Sequence, residues 1–437
     1  MKTDVIAMVL AGGRGTRLNI IASGRAKPAV PFGGSYRIID FTLTNIMQSG
    51  IRYAGILTQY RPQSLMIHLG DGEPWDLAGH ASLLKILPPV FKRSTTDWYG
   101  GTADAIYQNL DFIRRLDPDY VLILSGDHIY SMDYRLLIEK HRKSRAELTI
   151  AAMEVPWNEV GRFGTINVDR KSRVTGFVEK DPKSTSNLAS MGIYVFSREI
   201  LEEALTEQHR QGGLDFGKHV IPAMLAGGAR IYTHKFHGYW RDVGTLHSYW
   251  QANMDIIEHL RLAMEGGTDI PEDSIDLDAW AVRTNRIATG RVQRLPARFL
   301  GKAEVGNSIV SVGCVVEGKV VNSVLFPGVS VGPGATIRDS VVMNDCEIGA
   351  DATVEKSILD KLVVVGCHAS IGNSACSDGR NRRFPTSLFG GLTVIGKESR
   401  IPAEARVGAN VIVNPGLSLS SFGNGSIADG ETVQTST

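Results

Sequence analysis

The chain has 437 residues, 47 Lys+Arg against 46 Asp+Glu, and a formal net charge of +1. That length predicts two or three domains with a substantial core, and the near-neutral balance gives no reason to expect nucleic acid or a membrane as partner, so any anion site must be local. Cys314, Cys346, Cys367 and Cys376 form no CxxC pair, which argues against zinc and a disulfide framework; the apolar run Val5–Ala11 is too short for a signal peptide, and a cytoplasmic protein is expected.

In chain order, Val5–Leu10 predicts a buried strand, Phe41–Ser49 a helix stopped by Gly50, and Tyr53–Thr58 a second strand. Ala103–Arg115 predicts a helix with Ile106, Leu110 and Ile113 on one face, and Val121–Leu124 another strand. Strands alternating with helices up to about residue 250 argue a mostly parallel sheet covered on both faces. Residues 251–290 read as a helix and then a polar connector.

From about residue 305 the rhythm changes. Val331, Ile348 and Val365 recur every 17 residues, each followed by glycine. Val320, Ile337, Val354 and Ile371 keep the same step, as do Ser323, Ser340 and Ser357. Within a coil, apolar positions lie six apart, as from Val331 to Ile337. This hexapeptide pattern predicts a parallel β-helix with aliphatic residues inward and Ala335, Ala352 and Ala369 at tight corners. Ser374–Gly391 should loop out, and the tail after Gly423 should be frayed. The division expected is 1–250, a linker over 251–294, and the β-helix over 295–437.

The loop Gly12–Leu18, GGRGTRL, follows the first strand. A dinucleotide fingerprint would need glycine where Leu18 stands, and a Walker A loop would need Gly-Lys-Ser/Thr, so neither applies. Glycine backbone can still approach phosphate oxygens, and Arg14, Arg17 and Lys27 add cations; an ordinary solvated turn is the plain alternative. Asp127 follows the strand Tyr120–Leu124, where ligands of open parallel sheets bind, although it could also cap the segment after Met132. Asp242 lies in the aromatic, glycine-ended stretch YWRDVGT. Two carboxylates and phosphate oxygens together suit Mg²⁺.

In sequence order, LAGGRGTRL, RAKPAVPFGG with RIIDF, WYGGTADA with YQN, GDHIY with MDY, FVEK, ASMGIYVF, DFGK and YWRDVGT with YWQAN cover most of residues 5–256. Taken together they resemble the glucose-1-phosphate adenylyltransferases, also called ADP-glucose pyrophosphorylases. The resemblance implies an α/β, Rossmann-like nucleotidyltransferase domain followed by a left-handed parallel β-helix, usually in a homotetramer. It implies adenylyl transfer from ATP to glucose 1-phosphate, giving ADP-glucose for glycogen synthesis, with Mg²⁺ held by Asp127 and Asp242. Arg17 and Lys27 would then neutralise phosphate charge, with Arg14 as a weaker partner. Ala11, Gly12, Gly13, Gln59, Gly101 and Thr102 would line the nucleotide pocket. Glu179 and Lys180 would hold the sugar and its phosphate, with Tyr99, Gly164 and Ser190 beside them. Each has a plainer reading: Glu179–Lys180 as a surface charge pair, Tyr99 and Trp98 as packed aromatics, Gln59 bonding its own loop, Trp240 and Trp250 as core, and His128 as support for the backbone.

The family is commonly regulated by anionic metabolites. Its bacterial pattern often has Lys before R-A-K-P and His after P-A-V, where this chain has Gly24 and Pro31. Arg37 remains, and Arg380, Arg382 and Arg383 offer a second cluster that equally fits a solvated loop. The rival readings are guanylyl, uridylyl or thymidylyl transfer, an acyltransferase for which the repeats offer only His368, and a non-catalytic subunit. The last is disfavoured because Arg17, Lys27, Asp127, Lys180 and Asp242 are all present.

Overall fold

The structure is a computed structural model that describes residues 4–13, 15–89, 98–266, 270–271, 273–286, 294–372, 379–418 and 425–434. Contacts divide the chain into two compact units, one of residues 1–13 and 39–240, the other of residues 14–38 and 241–437. Residues 14–38, within the segment 1–250, therefore have their contacts in the second unit.

The first unit is built on a nine-stranded sheet. Its strands are β1 (Val5–Leu10), β2 (Tyr53–Leu57), β3 (Leu83–Leu87), β4 (Tyr120–Ser125), β5 (Leu148–Glu154), β6 (Gly164–Val168), β7 (Val174–Glu179), β8 (Leu188–Ser197) and β9 (Ile231–Lys235). The main path runs β7-β6-β8-β4-β1-β2-β3, with β5 pairing β8 and β9. β1 runs parallel to both β2 and β4, while β8 is antiparallel to β4, β5 and β6, so the sheet is mixed rather than uniformly parallel. The inner residues of β1 and β4 are buried, which explains why both read as unbroken apolar runs. The helix Ile38–Gln48 ends before Gly50, whose φ of 71° supplies the left-handed turn.

The helix expected over Ala103–Arg115 is two helices, Thr102–Tyr107 and Leu110–Leu116. Asn109 sits at the break, its side-chain amide donating to the Ala105 carbonyl at 2.8 Å and to the Tyr99 hydroxyl at 3.0 Å. A side chain that competes for helix carbonyls interrupts the ladder. Ile106, Leu110 and Ile113 nevertheless share one core.

In the second unit, three sheets of six, seven and seven parallel strands form the left-handed β-helix among the described residues. The 17-residue columns are its rungs: Val320, Ile337, Val354 and Ile371 pair in register and are fully buried. The serine column carries a ladder of its own. Ser340 N donates to Ser323 Oγ and Ser357 N to Ser340 Oγ, each at 3.1 Å, so the corner's amides are satisfied without water. Winding begins with Arg298–Phe299, which pair 17 residues on with Val315–Val316; the next registers step by 15, as from Val305 to Val320. The tail is not frayed where it is described: Ser426–Ile427 and Thr432–Val433 pair with the preceding coil. In the looped-out segment, residues 379–391 are organised by Asn381, whose amide nitrogen lies 3.0 Å from the carbonyls of Asn410 and Glu431; residues 373–378 lie outside the described residues.

The glycines that close each 17-residue step are required by close approach. A Cβ on Gly349 would lie 2.6 Å from the Cys367 nitrogen and 2.8 Å from the Gly366 carbonyl carbon. Backbone cannot rotate aside as a side chain can. Gly349→Val is therefore expected to destabilise the chain by about 2 kcal/mol or more, read as a lower denaturation midpoint in urea.

Candidate active site

In the first unit the chain leaves β1 toward β2 and β3 on one side and returns as β4 on the other, so the gap beyond the carboxyl ends of β1 and β4 is a topological switch point. Ala11, Gly12 and Gly13 follow β1, and Gly126–Asp127 follow β4, whose Ser125 pairs with Leu10. The Gly126 amide donates to the Leu10 carbonyl at 3.0 Å, and the Ala11 amide to the Leu57 carbonyl at 2.9 Å. A side chain on Gly12 would meet Gln59 Cβ at 3.0 Å, so glycine is what lets the loop lie against the residues after β2. Asp127 accepts a short hydrogen bond from Ser125 Oγ and lies 3.5 Å from His128 Nε2. The structure thus gathers Ala11, Gly12, Gly13, Gln59 and Asp127 in one unit. Arg14 lies outside the described residues.

Gln59 Nε2 donates to the Tyr99 carbonyl at 3.4 Å. The Tyr99 hydroxyl donates to the Leu87 carbonyl at 3.0 Å and accepts from Asn109, and burial pushes the phenol's pKa up to about 12. Tyr99 is accordingly a packed aromatic whose backbone faces Gln59, whereas Trp98 is exposed. Gly101 carries an extended backbone pressed on Leu214, whose carbonyl oxygen a Cβ would approach to 2.2 Å. Thr102 Oγ1 donates to Asp215 Oδ2 at 3.0 Å and accepts from the Phe216 amide at 3.1 Å.

A second group in the same unit forms around Glu179. Its backbone pairs with Gly164, and its Oε2 would lie 2.7 Å from a Cβ on Gly164 and 2.5 Å from one on Gly217. Lys180 adopts φ of 53°, donates its amide to the Phe163 carbonyl, and leaves its side chain largely exposed with Nζ 3.4 Å from Glu179 Oε1. Ser190 Oγ lies 3.4 Å from the Tyr194 hydroxyl. Burial, and then the charges of Glu179 and Asp215, raise the Tyr194 pKa. Trp240 packs on His128 and Phe163 in the first unit. In the second unit, Trp250 instead donates to the Asp339 carbonyl at 2.8 Å with Lys356 over its ring.

The second unit brings together Arg17, Lys27 and Asp242. Lys27 is buried in the turn Lys27–Ala29, and its Nζ donates to Asp242 Oδ1 at 2.9 Å. Arg17 Nη2 lies 3.8 Å from Asp242 Oδ2, on a side chain that is 57% exposed. Two glycines make this possible. Gly15, at φ of 62°, would clash with Ala22 Cβ at 2.9 Å, and Gly244 would meet both Asp242 oxygens at 2.9 Å. Arg37 donates to the Ala29 carbonyl at 3.3 Å, whereas Arg382 pairs with Glu431 and Arg383 lies over Phe384. These three arginines have separate partners.

The Nucleotidyl transferase family model matches residues 6–259, and the model of the GlmU-like C-terminal hexapeptide matches residues 296–395. Curated glucose-1-phosphate adenylyltransferases align over most of the chain. That of Acetivibrio thermocellus is 40% identical over 99% of this chain and 98% of its own length. Those of Thermomicrobium roseum and Clostridium perfringens (strain 13 / Type A) are 45% and 47% identical, covering 99% and 85% of this chain and 98% and 92% of themselves. The chain belongs to the glucose-1-phosphate adenylyltransferase family.

As a member of that family the chain is a nucleotidyltransferase, and no helix among its described residues is long and apolar enough to cross a membrane. Two polar side chains that the motifs did not single out stand within the Glu179 group. Asp215, in the DFGK motif, joins Thr102 to the amides of Gly217 and Lys218, and Tyr194 faces Ser190. Only sheet pairing and the turn before Phe216 bring them there, so no local spacing announces them. Nucleotidyltransferases generally use a divalent metal, and each unit carries a carboxylate of the kind that holds one. Asp127 and Asp242 are hard oxygen donors, each with one oxygen oriented by a neighbour, Ser125 and Lys27 respectively.

Proposed function

We propose that the chain transfers the adenylyl group of ATP to glucose 1-phosphate, giving ADP-glucose and pyrophosphate, and so supplies glycogen or a related α-glucan. The observation that carries this reading is the match, at 40% identity over 435 residues, to a glucose-1-phosphate adenylyltransferase along essentially its whole length. The chemistry agrees with the side chains. The attacking group is already an anionic phosphate oxygen, so the protein needs no nucleophile of its own and no strong base. Two mutually repelling anions must instead be aligned and neutralised.

In this reading, Ala11, Gly12 and Gly13 approach the nucleotide by backbone, with Gln59, Gly101 and Thr102 as further walls and Arg14 as an outer cation. Arg17 and Lys27 offset the charge that develops on the α-phosphate and the departing pyrophosphate. Asp242 holds the Lys27 ammonium in place until substrate arrives. Asp127 and Asp242 would hold Mg²⁺, which when bound supplies Lewis-acid neutralisation of phosphate charge. Glu179 accepts hydrogen bonds from sugar hydroxyls, and Lys180, exposed and adaptable, takes the sugar phosphate. Gly164, Ser190 and the backbone of Tyr99 complete that side. The catalytic segment is assigned to 1–250, a linker to 251–294 and the β-helix to 295–437.

An anionic effector is assigned to Arg37. What supports it is crowding of like charge: burial, then Arg37 and Arg25, push the neighbouring Lys361 ammonium down to about 7. An anion would relieve that repulsion. Arg382 and Arg383 are retained as a second, weaker anion surface. A cytoplasmic homotetramer is proposed, and the exposed Phe299, Leu300, Val305 and Val312 on the first coils support further subunits covering them.

Purified protein assayed with ATP, GTP, UTP and dTTP, each with glucose 1-phosphate and Mg²⁺, is expected to prefer ATP; preference for another nucleotide overturns the assignment. Asp127→Asn is expected to lower kcat by about 100-fold or more with the fold intact by circular dichroism. Lys180→Ala is expected to raise KM for glucose 1-phosphate by about 10-fold or more while leaving KM for ATP near wild type. A selective effect on ATP would reverse the two substrate assignments.

A further inference from the structure

The segment that carries Lys27 is fastened to the β-helix at both ends. After Lys27, the Tyr249 hydroxyl donates to the Pro31 carbonyl at 2.6 Å, the Gly33 amide to Asn253 Oδ1 at 3.0 Å, and Ser311 Oγ to the Gly34 carbonyl at 2.9 Å. Before it, Arg25 Nη2 donates to both oxygens of Asp360, at 2.8 and 2.9 Å, and Nη1 touches Met343 Sδ at 3.8 Å. Arg25 is 6% exposed and Asp360 1%.

Asp360 is out of keeping with its column. Seventeen and thirty-four residues earlier the same place holds Met343 and Phe326, both buried and apolar. A carboxylate in a position that packing fills with hydrocarbon breaks the local rule, and such exceptions mark function. It is not spent on sheet pairing: its oxygens go to Arg25 and to the Lys361 amide at 2.7 Å. Removing one partner of a buried ion pair leaves the other charge uncompensated, so the segment would move to rehydrate Arg25. Lys27 stands two residues away. Asp242 fixes only the tip of the lysine, whereas the Arg25–Asp360 link fixes the backbone from which it extends.

We infer that Asp360 is a positioning residue for adenylyl transfer, acting through Arg25 to hold the backbone of Lys27 in register. The inference rests on the reading of Lys27 as the phosphate-facing cation. The β-helix is then part of the catalytic machinery by way of one buried ion pair.

The test is a kinetic cycle on the full chain with ATP, glucose 1-phosphate and Mg²⁺, using Asp360→Asn, Lys27→Ala and the double variant. Asp360→Asn is expected to lower kcat by about 10-fold or more with both KM values within about 3-fold, because misplacing a catalytic group by a fraction of an ångström acts on the transition state. In the Lys27→Ala background the same substitution is expected to change kcat by less than about 3-fold, since no positioned ammonium remains to lose. An equal loss in both backgrounds overturns the inference and leaves the active-site reading standing. Wild-type turnover by Lys27→Ala overturns the reading of Lys27 and this inference with it. Should Asp360→Asn not fold, Arg25→Lys, which keeps the charge but changes its reach, enters the same cycle with the same expectations.

Discussion

A buried ammonium group needs a counter-charge, and for Lys27 that charge is Asp242, 2.9 Å away. The surrounding geometry of the second unit serves this pair. Gly15 and Gly244 admit backbone where a side chain would collide, and the capping box of Thr245 and Ser248 starts the helix Leu246–Met264 immediately after the aspartate. That helix in turn presents Tyr249 and Asn253 to Pro31 and Gly33. A single ion pair thus ties a loop near the amino terminus to the start of a helix more than two hundred positions later.

The chain's overall charge is close to zero, yet its candidate site is dense in charged groups of both signs. That combination fits a reaction between two anions better than steering by a global field. Cations held in reserve against carboxylates stay oriented, and arriving phosphates exchange one partner for another without a large change in local charge. The first unit contributes a different quality. Glycine backbone at a switch point and a carboxylate at the end of the neighbouring strand are rigid features, set by strand pairing rather than by side-chain choice.

Much of the fold was legible because two periodicities are strong. Val5–Leu10 and Tyr120–Ser125 are buried on both faces and read as apolar runs, and the 17-residue columns of valine, isoleucine and serine give the solenoid directly. The 15-residue step from Val305 to Val320 departs from those columns and shows only in the strand register, and the break at Asn109 escaped because a side-chain amide, not a proline or glycine, interrupts the helix. In the site, the glycine loop, Asp127 and Asp242 were visible as residue types in suggestive places. Glu179, Lys180 and Ser190 were named only through resemblance, since a Glu-Lys dipeptide has no distinctive spacing. Asp215, Tyr194, Arg25 and Asp360 were not singled out at all. Their partners lie far off in sequence, 335 positions for Arg25 and Asp360, and no local pattern encodes a contact of that range.

The column of glycines at Gly332, Gly349 and Gly366 sets main chain of one turn directly upon main chain of the next. Such a stack has no slack to absorb a change at one level. Drift in the sequence there must be concerted among successive turns or not occur at all, whereas outward-facing positions of the same turns vary independently. Turns of this solenoid differ in length, 15 residues at Val305 and 20 at Arg406, so the extra residues are taken up away from the stacked glycines.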